Sequence, residues 1–241
     1  MKLSKDAIRN WHAGILSGLL MLSLMLSSCL KSNSSDVAPP TALVTVIQAS
    51  PDEPGLDFYL NSSKINEIPI AYGTGLDYFS AFAGDRTANF YNSGTYGSPV
   101  ATAPVTLEPN MAYSLFLENV PANPGILLLT DTLLKPANGK AAVRFVNLSP
   151  DAPAVDLAIQ GGATITTNKL FKGYTSFIPL QAQSNFTFQV LKTGTSTVLA
   201  TLSNVNLASG YLYTVMLEGL NTPTNSTDTL NIIIITNAFF N

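Results

Sequence analysis

The sequence predicts an all-β protein built from two tandem immunoglobulin-like β-sandwich domains behind a short leader. Three observations carry this. A block of residues returns after about one hundred positions, apolar side chains alternate with period two in both copies, and short turn motifs separate the alternating runs. Beyond the leader no window carries a helical stripe.

The repeat is read from two blocks. Leu43-Val44-Thr45-Val46-Ile47-Gln48-Ala49-Ser50-Pro51-Asp52-Glu53-Pro54-Gly55-Leu56-Asp57 returns as Ala142-Val143-Arg144-Phe145-Val146-Asn147-Leu148-Ser149-Pro150-Asp151-Ala152-Pro153-Ala154-Val155-Asp156, at an offset of 99. A second block, 107–118, returns as 207–218 at an offset of 100. Two blocks holding nearly one spacing mark a duplicated domain, and a period this long means tandem domains, not a solenoid. The first copy takes residues 42–134 and the second 141–241, joined by the turn-rich stretch 135–140, short enough to bring the copies into contact.

Taken in order, the second copy offers strands at 142–147, 155–160, 176–181, 185–192, 197–202, 211–218 and 231–236. Phe186, Phe188 and Val190 alternate with Thr187, Gln189 and Leu191, the pattern of a strand with one buried face. Ser149-Pro150-Asp151, Gly161-Gly162, Thr193-Gly194-Thr195 and Ser209-Gly210 supply the turns. In the first copy the matching strands are 43–49, 56–61, 77–82, 86–92, 113–117 and 126–131. About seven short strands per hundred residues suit two sheets packed face to face.

The leader, residues 1–28, has the parts of a cleaved lipoprotein signal peptide. Lys2, Lys5 and Arg9 make its start basic, and residues 13–26 are uncharged and mostly apolar. As a helix that run spans about 21 Å, short of the ~30 Å hydrocarbon core. Leu26-Ser27-Ser28-Cys29 then resembles the lipobox of bacterial lipoproteins, in which the cysteine is acylated, palmitate included, and the chain is cut before it. Cys29 is thus the expected anchor to the membrane, with residues 29–41 as a polar, then proline-rich tether. Leu30 follows the cysteine where an inner-membrane retention signal would carry Asp, so the outer membrane is the expected location, on its periplasmic face or the cell surface.

Composition excludes several chemistries. The only His (His12) and the only Trp (Trp11) fall in the leader, and Cys29 is the only cysteine. After cleavage no Ser-His-Asp or Cys-His catalysis, no His/Cys zinc site and no intramolecular disulfide remains. Nine basic against fourteen acidic residues then remain, with no basic patch, so nucleic acid is not an expected partner. No cofactor is expected.

The run Val143 to Asp156, entered from Leu129-Thr130-Asp131-Thr132 and the Pro136-Ala137-Asn138-Gly139-Lys140 join, resembles the domain-of-unknown-function 4397 family. The second copy fits closely and the first more loosely, with Glu53-Pro54-Gly55-Leu56 in place of small and β-branched residues. The resemblance implies a β-sandwich on the cell envelope, often in tandem behind a lipobox, and no assigned activity.

Four sets of candidate site residues stand out, each beside a plainer reading. Asp52 with Asp57 and Asp151 with Asp156 are carboxylate pairs of the kind Ca²⁺ takes, or the turn and strand-entry residues of Ser-Pro-Asp-x-Pro-x-x-Asp. Read as acid and base, the same carboxylates would make a hydrolase, but nothing places a cleft between them. Tyr72, Tyr78, Tyr91 and Tyr96 cluster among glycines in the first copy, as ligand-contacting rings or as core. Thr132 and Thr229, each after Asp and before Leu, match short O-glycosylation patterns. The expected role is non-catalytic: a structural or adhesive envelope module contacting protein or glycan. The alternative is a glycan- or small-ligand-capturing lipoprotein that works with an outer-membrane transporter.

Overall fold

A strand that is apolar on both faces belongs in the middle of a sheet with a layer on either side. That describes β1 (Thr41–Gln48), whose Val44 and Val46 are buried on one face while Ile47 is buried on the other. The computed structural model describes residues 38–240, so Cys29, the leader and most of the tether lie outside the described residues.

The first copy continues as β2 (Leu56–Leu60), β3 (Ser63–Lys64), β4 (Thr74–Gly75), β5 (Phe79–Phe82), β6 (Gly84–Asn92), β7 (Ala101–Leu107), β8 (Ala112–Glu118) and β9 (Gly125–Asp131). In the second lie β10 (Lys140–Asn147), β11 (Val155–Ile159), β12 (Thr164–Lys169), β13 (Ile178–Gln181), β14 (Gln183–Lys192), β15 (Val198–Leu207), β16 (Tyr211–Glu218) and β17 (Asn231–Phe239). The chain is all-β, and each copy is a sandwich of two sheets, as the alternation predicts.

The two copies share one topology. In the first, β1 lies between β8 on one side and β4 with β5 on the other, β9 extends the sheet beyond β8, and the facing sheet runs β3-β2-β6-β7. In the second the sheets run β13-β10-β16-β17 and β12-β11-β14-β15. The first strand of each pairs in parallel with the penultimate one: Val44 opposes Tyr113, and Val143 opposes Tyr213. These are the 99 and 100 offsets seen in the sequence. The extra residue is taken up at bulges where β14 pairs with β15, a hairpin whose counterpart β6–β7 pairs without interruption.

Strands β7 and β12 carry too weak a pattern to be read from sequence. Both are sheet edges: β7 alternates in burial but is built largely from Ala, Thr and Pro, and β12 is only partly buried. Pro104 inside β7 is tolerated there because an edge strand needs hydrogen bonds on one side only.

Each sandwich has its own core, around Phe58 and Phe90 in the first and Phe145 and Phe188 in the second. A third core joins them. Ile47, Ala49, Phe116 and Leu129 of the first copy pack on Val146, Leu148 and Met216 of the second, with Ile233 and Ile235 at the margin. The outer faces of the β1 and β10 sheets therefore cover each other, and the described residues from Pro39 onward form one compact unit. The short join leads to a whole-face contact.

Candidate functional site

With one face of each sandwich committed to the core and another to the junction, the outer face of the β3-β2-β6-β7 sheet is left for solvent. In β2, Leu56, Phe58 and Leu60 point inward, so Asp57 and Tyr59 point outward. In β6, Ala88 and Phe90 point inward, leaving Asn89 and Tyr91 outside. Antiparallel register sets Tyr59 opposite Asn89 and Asp57 opposite Tyr91.

Three tyrosines meet on this face. Tyr59 and Tyr91 stand edge to face with centroids 5.1 Å apart. Tyr96, from the β6–β7 loop, leans over both, 5.4 Å from Tyr59 and 5.1 Å from Tyr91. Tyr91 is buried beneath its neighbours at 8% exposure, whereas Tyr96 stays 68% exposed. The outcome is a braced ring presented to solvent.

Hydrogen-bonding groups frame the rings. Lys64 lies 2.8 Å from Asp57 Oδ2, which also accepts the Gly94 N–H at 3.1 Å. Burial pushes the Asp57 carboxyl up, but Lys64, the Gly94 amide and Asn66 together hold it below the ordinary carboxylate range. Thr102 donates to Asn89 Oδ1 at 2.8 Å, and Asn89 Nδ2 donates to the Asn61 carbonyl at 3.2 Å. An aromatic platform edged by amide, hydroxyl and ion-pair groups suits a ligand that is apolar on one face and hydroxylated at its rim.

The second copy lacks this face. Register places Ala158 where Tyr59 stands and Leu191 where Tyr91 stands. Equivalent turns, Thr95 N–H to Asn92 O and Thr195 N–H to Lys192 O, put Ser196 in place of Tyr96. The duplication has kept the scaffold and left the rings on one copy.

The other sequence-predicted residues lie elsewhere. Tyr72 and Tyr78 do not join the aromatic face, because the segment between β3 and β5 runs to the junction. Tyr78 donates to Asp131 and accepts from Asn237 Nδ2 at 3.1 Å, and its burial pushes the phenol well above its usual value. Tyr72 is half-buried near Glu218 and Asp228, its hydroxyl without a partner.

The aspartates of the repeated signature have separate structural tasks. Asp156 accepts from the Asn168 N–H at 2.8 Å and from Thr193 Oγ1 at 2.6 Å, and so, like Asp57, ties together the ends of its sheet. Asp151 clamps the β16–β17 loop through the N–H groups of Asn221 and Thr222 at 2.7 and 2.9 Å. Asp52 reaches the same loop from the other copy, accepting from Asn225 Nδ2 at 3.0 Å. Each pair is thus divided between a loop clamp and a sheet tie. Thr132 and Thr229 are both exposed, while the preceding Asp131 and Asp228 are buried.

Sequence reasoning missed Tyr59. Its signal was available: Asp57 and Tyr59 alternate with three buried apolar residues, which fixes their face once the strand is accepted. Also missed was a groove of about 400 Å³ at the seam, lined by Leu43, Leu76, Tyr78, Asn237 and Phe239.

Residues 42–158 match the model of a family described as Domain of unknown function (DUF4397). The match takes in the first sandwich and the opening strands of the second, ending in β11, although the second copy carries the fuller signature. No curated protein matches the chain. Among solved structures, CBMbc (family CBM26) from Eubacterium rectale Amy13K in complex with maltoheptaose aligns over 82% of this chain and 97% of its own, at 11% identity and a TM-score of 0.25. A streptococcal virulence factor, solved for its alpha-glucan binding, aligns over 78% and 97%, at 12% identity and a TM-score of 0.24. Superposition this loose transfers neither fold detail nor ligand.

Proposed function

The chain belongs to the Domain of unknown function (DUF4397) family, and from that premise we propose a non-catalytic envelope lipoprotein whose first sandwich contacts glycan. The observation that supports this reading is the Tyr59–Tyr91–Tyr96 cluster, a braced and exposed aromatic surface edged by hydrogen-bonding groups and confined to one copy. A sugar ring has an apolar face that stacks on an exposed tyrosine and hydroxyls that reach Thr102 and Lys64, whose partners Asn89 and Asp57 lie buried behind them. The second sandwich buttresses the first through the shared core.

Anchoring rests on Cys29, acylated in the outer membrane with the tether joining it to the sandwiches. A glycan array probed with residues 33–241 tests the binding reading. Retention of specific glycans, lost in Tyr96→Ala, is the expected result; a flat array overturns it. Membrane fractionation of cells expressing the wild-type chain or Cys29→Ala tests the anchor, which fails if both partition alike.

Protein contact is a second reading, favoured by the seam groove, where Leu43 and Phe239 are 43% and 60% exposed. Leu43→Asp, leaving the tyrosines intact, separates it from glycan binding.

A further inference from the structure

One end of the molecule gathers the entry of the chain, the join between the copies and the close of the last strand. Pro40 O accepts the Ala83 N–H at 2.9 Å, and Thr41 stands opposite Phe82. Beside them, Asn110 N–H donates to Thr41 O at 2.8 Å and Leu43 N–H to Met111 O at 2.9 Å. In the second copy, Gly210 N–H donates to Lys140 O at 2.8 Å, and Gly210 O accepts the Phe240 N–H at 3.1 Å. The start of β10 and the end of β17 therefore lie together, and the seam groove joins Phe239 to Leu43 at the start of β1.

This end is apolar where it meets solvent. Phe82 and Phe239 are 59% and 60% exposed, and Leu43 and Met111 are 43% and 40% exposed. Leu43 and Leu133 line the seam groove with Phe239, and they line a second groove, of about 410 Å³, with Met111. Those four side chains thus make one continuous run. The Phe239 ring is braced against Tyr211, with centroids 5.5 Å apart. Single exposed apolar residues are ordinary, but a continuous run marks a surface that meets protein or lipid.

The position of the anchor selects lipid. Ten residues, 30–39, separate Cys29 from Pro40. A coil of that length reaches about 20 Å, less than the roughly 26 Å spanned by the eight residues of β1. An anchor on Cys29 therefore holds the entry end nearest the membrane. The far end, where Leu56 pairs with Asn92 and the Tyr96 loop follows, is turned away.

We propose that this apolar run rests on the bilayer surface, a second contact that seats the anchored molecule with its tyrosine face away from the lipid. Apolar side chains buried at the headgroup boundary add to the hold of an acyl chain. The inference rests on the anchoring of Cys29 and goes beyond it. A protein partner is the competing occupant.

The experiment uses the chain from Cys29 onward, which contains no Trp and a single thiol. Cys29 is coupled to a maleimide lipid in vesicles of phosphatidylethanolamine, phosphatidylglycerol and phosphatidylcholine brominated high on its acyl chains. Phe239→Trp, Phe82→Trp and Tyr96→Trp each supply one reporter. Apolar side chains seated about 5–10 Å into the boundary should bring Phe239→Trp and Phe82→Trp to the bromines and cut their emission roughly twofold. Tyr96→Trp should keep its emission. Leu43→Asp, added to Phe239→Trp, should restore most of what was lost. Emission from both entry-end reporters no lower than from Tyr96→Trp overturns the proposal and leaves the run to a protein partner. Quenching that Leu43→Asp does not relieve overturns it too. Coupling fixes Cys29 to lipid whether or not cells acylate it, so failure of the anchor shows only in the fractionation of Cys29→Ala and failure of the seating only in the quenching.

Discussion

Arg144 of the second sandwich and Asp131 of the first form an ion pair across the junction, with side chains only 2% and 0% exposed. The guanidinium also donates to Ser114 Oγ at 2.9 Å and to Thr214 Oγ1 at 2.9 and 3.1 Å, hydroxyls related by the repeat. Phe177 and Phe116 flank it, with centroids 5.0 and 6.0 Å away. Asp131 in turn accepts from Tyr78 and Ser114, so every polar group at the centre of the junction is engaged. A buried pair of this kind fixes how two faces register more than it adds net stability.

Removing one partner should therefore be costly. Asp131→Ala leaves a buried guanidinium uncompensated and should lose about 3–5 kcal/mol. The double variant Asp131→Leu with Arg144→Met should lose much less. Urea unfolding of the three chains measures the difference, and equal losses would refute the account.

Tyr96→Ala should leave the melting temperature nearly unchanged, within about 0.5 kcal/mol, because the ring is exposed. Glycan retention should fall at the same time. Tyr91→Ala should lower both, since Tyr91 is buried under its neighbours. Thermal unfolding beside the array separates the two effects.

Acid should weaken the fold through Asp57 and Asp151. Both have folded-state values below the ordinary 3.8, because hydrogen bonds to the ionised form outweigh desolvation. A group lowered on folding contributes stability that is present above its unfolded value and is lost as pH falls through the folded one. Melting temperature should drop below about pH 4. Asp57→Asn should flatten that drop, and an unchanged profile would count against the assignment.

Gly125→Ala tests the packing around Glu118. The new Cβ would stand 2.1 Å from Glu118 Oε1, which pairs with the Lys172 ammonium at 2.7 Å, so the buried Glu118 carboxylate must be displaced. A loss of about 1–3 kcal/mol is expected from overpacking. Calorimetry that showed no change would mean that Glu118 can move away from Lys172.

Much of this architecture is legible in the sequence, and the reasons are physical. The repeat is visible because β1, β8 and their counterparts are buried on both faces, which constrains every position. Edge strands β7 and β12 escape notice because Ala, Thr and Pro give β7 little contrast in hydropathy and β12 is mostly polar. The junction is harder to read. Ile47 and Val146 look like ordinary core, and nothing local says that their faces cover each other and not the inside of a sandwich. Arg144 was the available clue, a lone charge in an apolar strand that needs a buried partner. The tyrosines divide for the same reason. Tyr72 and Tyr78 sit as close to Gly73 and Gly75 as Tyr91 and Tyr96 do to Gly94 and Gly97, but only the strand register tells which pair joins Tyr59 on the outer face of the sheet.

The parallel pairing of β1 with β8 has a consequence for the order in which the molecule forms. Thr41–Gln48 emerges early, yet its central position is defined only once Ala112–Glu118 is available. The same delay recurs with Lys140–Asn147 and Tyr211–Glu218. Local hairpins such as β6–β7 and β14–β15 can form first, while closure of each sheet waits on a contact some seventy residues away. Such non-local contacts slow folding. A chain threaded through a membrane from its N-terminus would thus arrive with its first strand able to pair on one side only, with β4 and β5, and would close each sandwich from the C-terminal side.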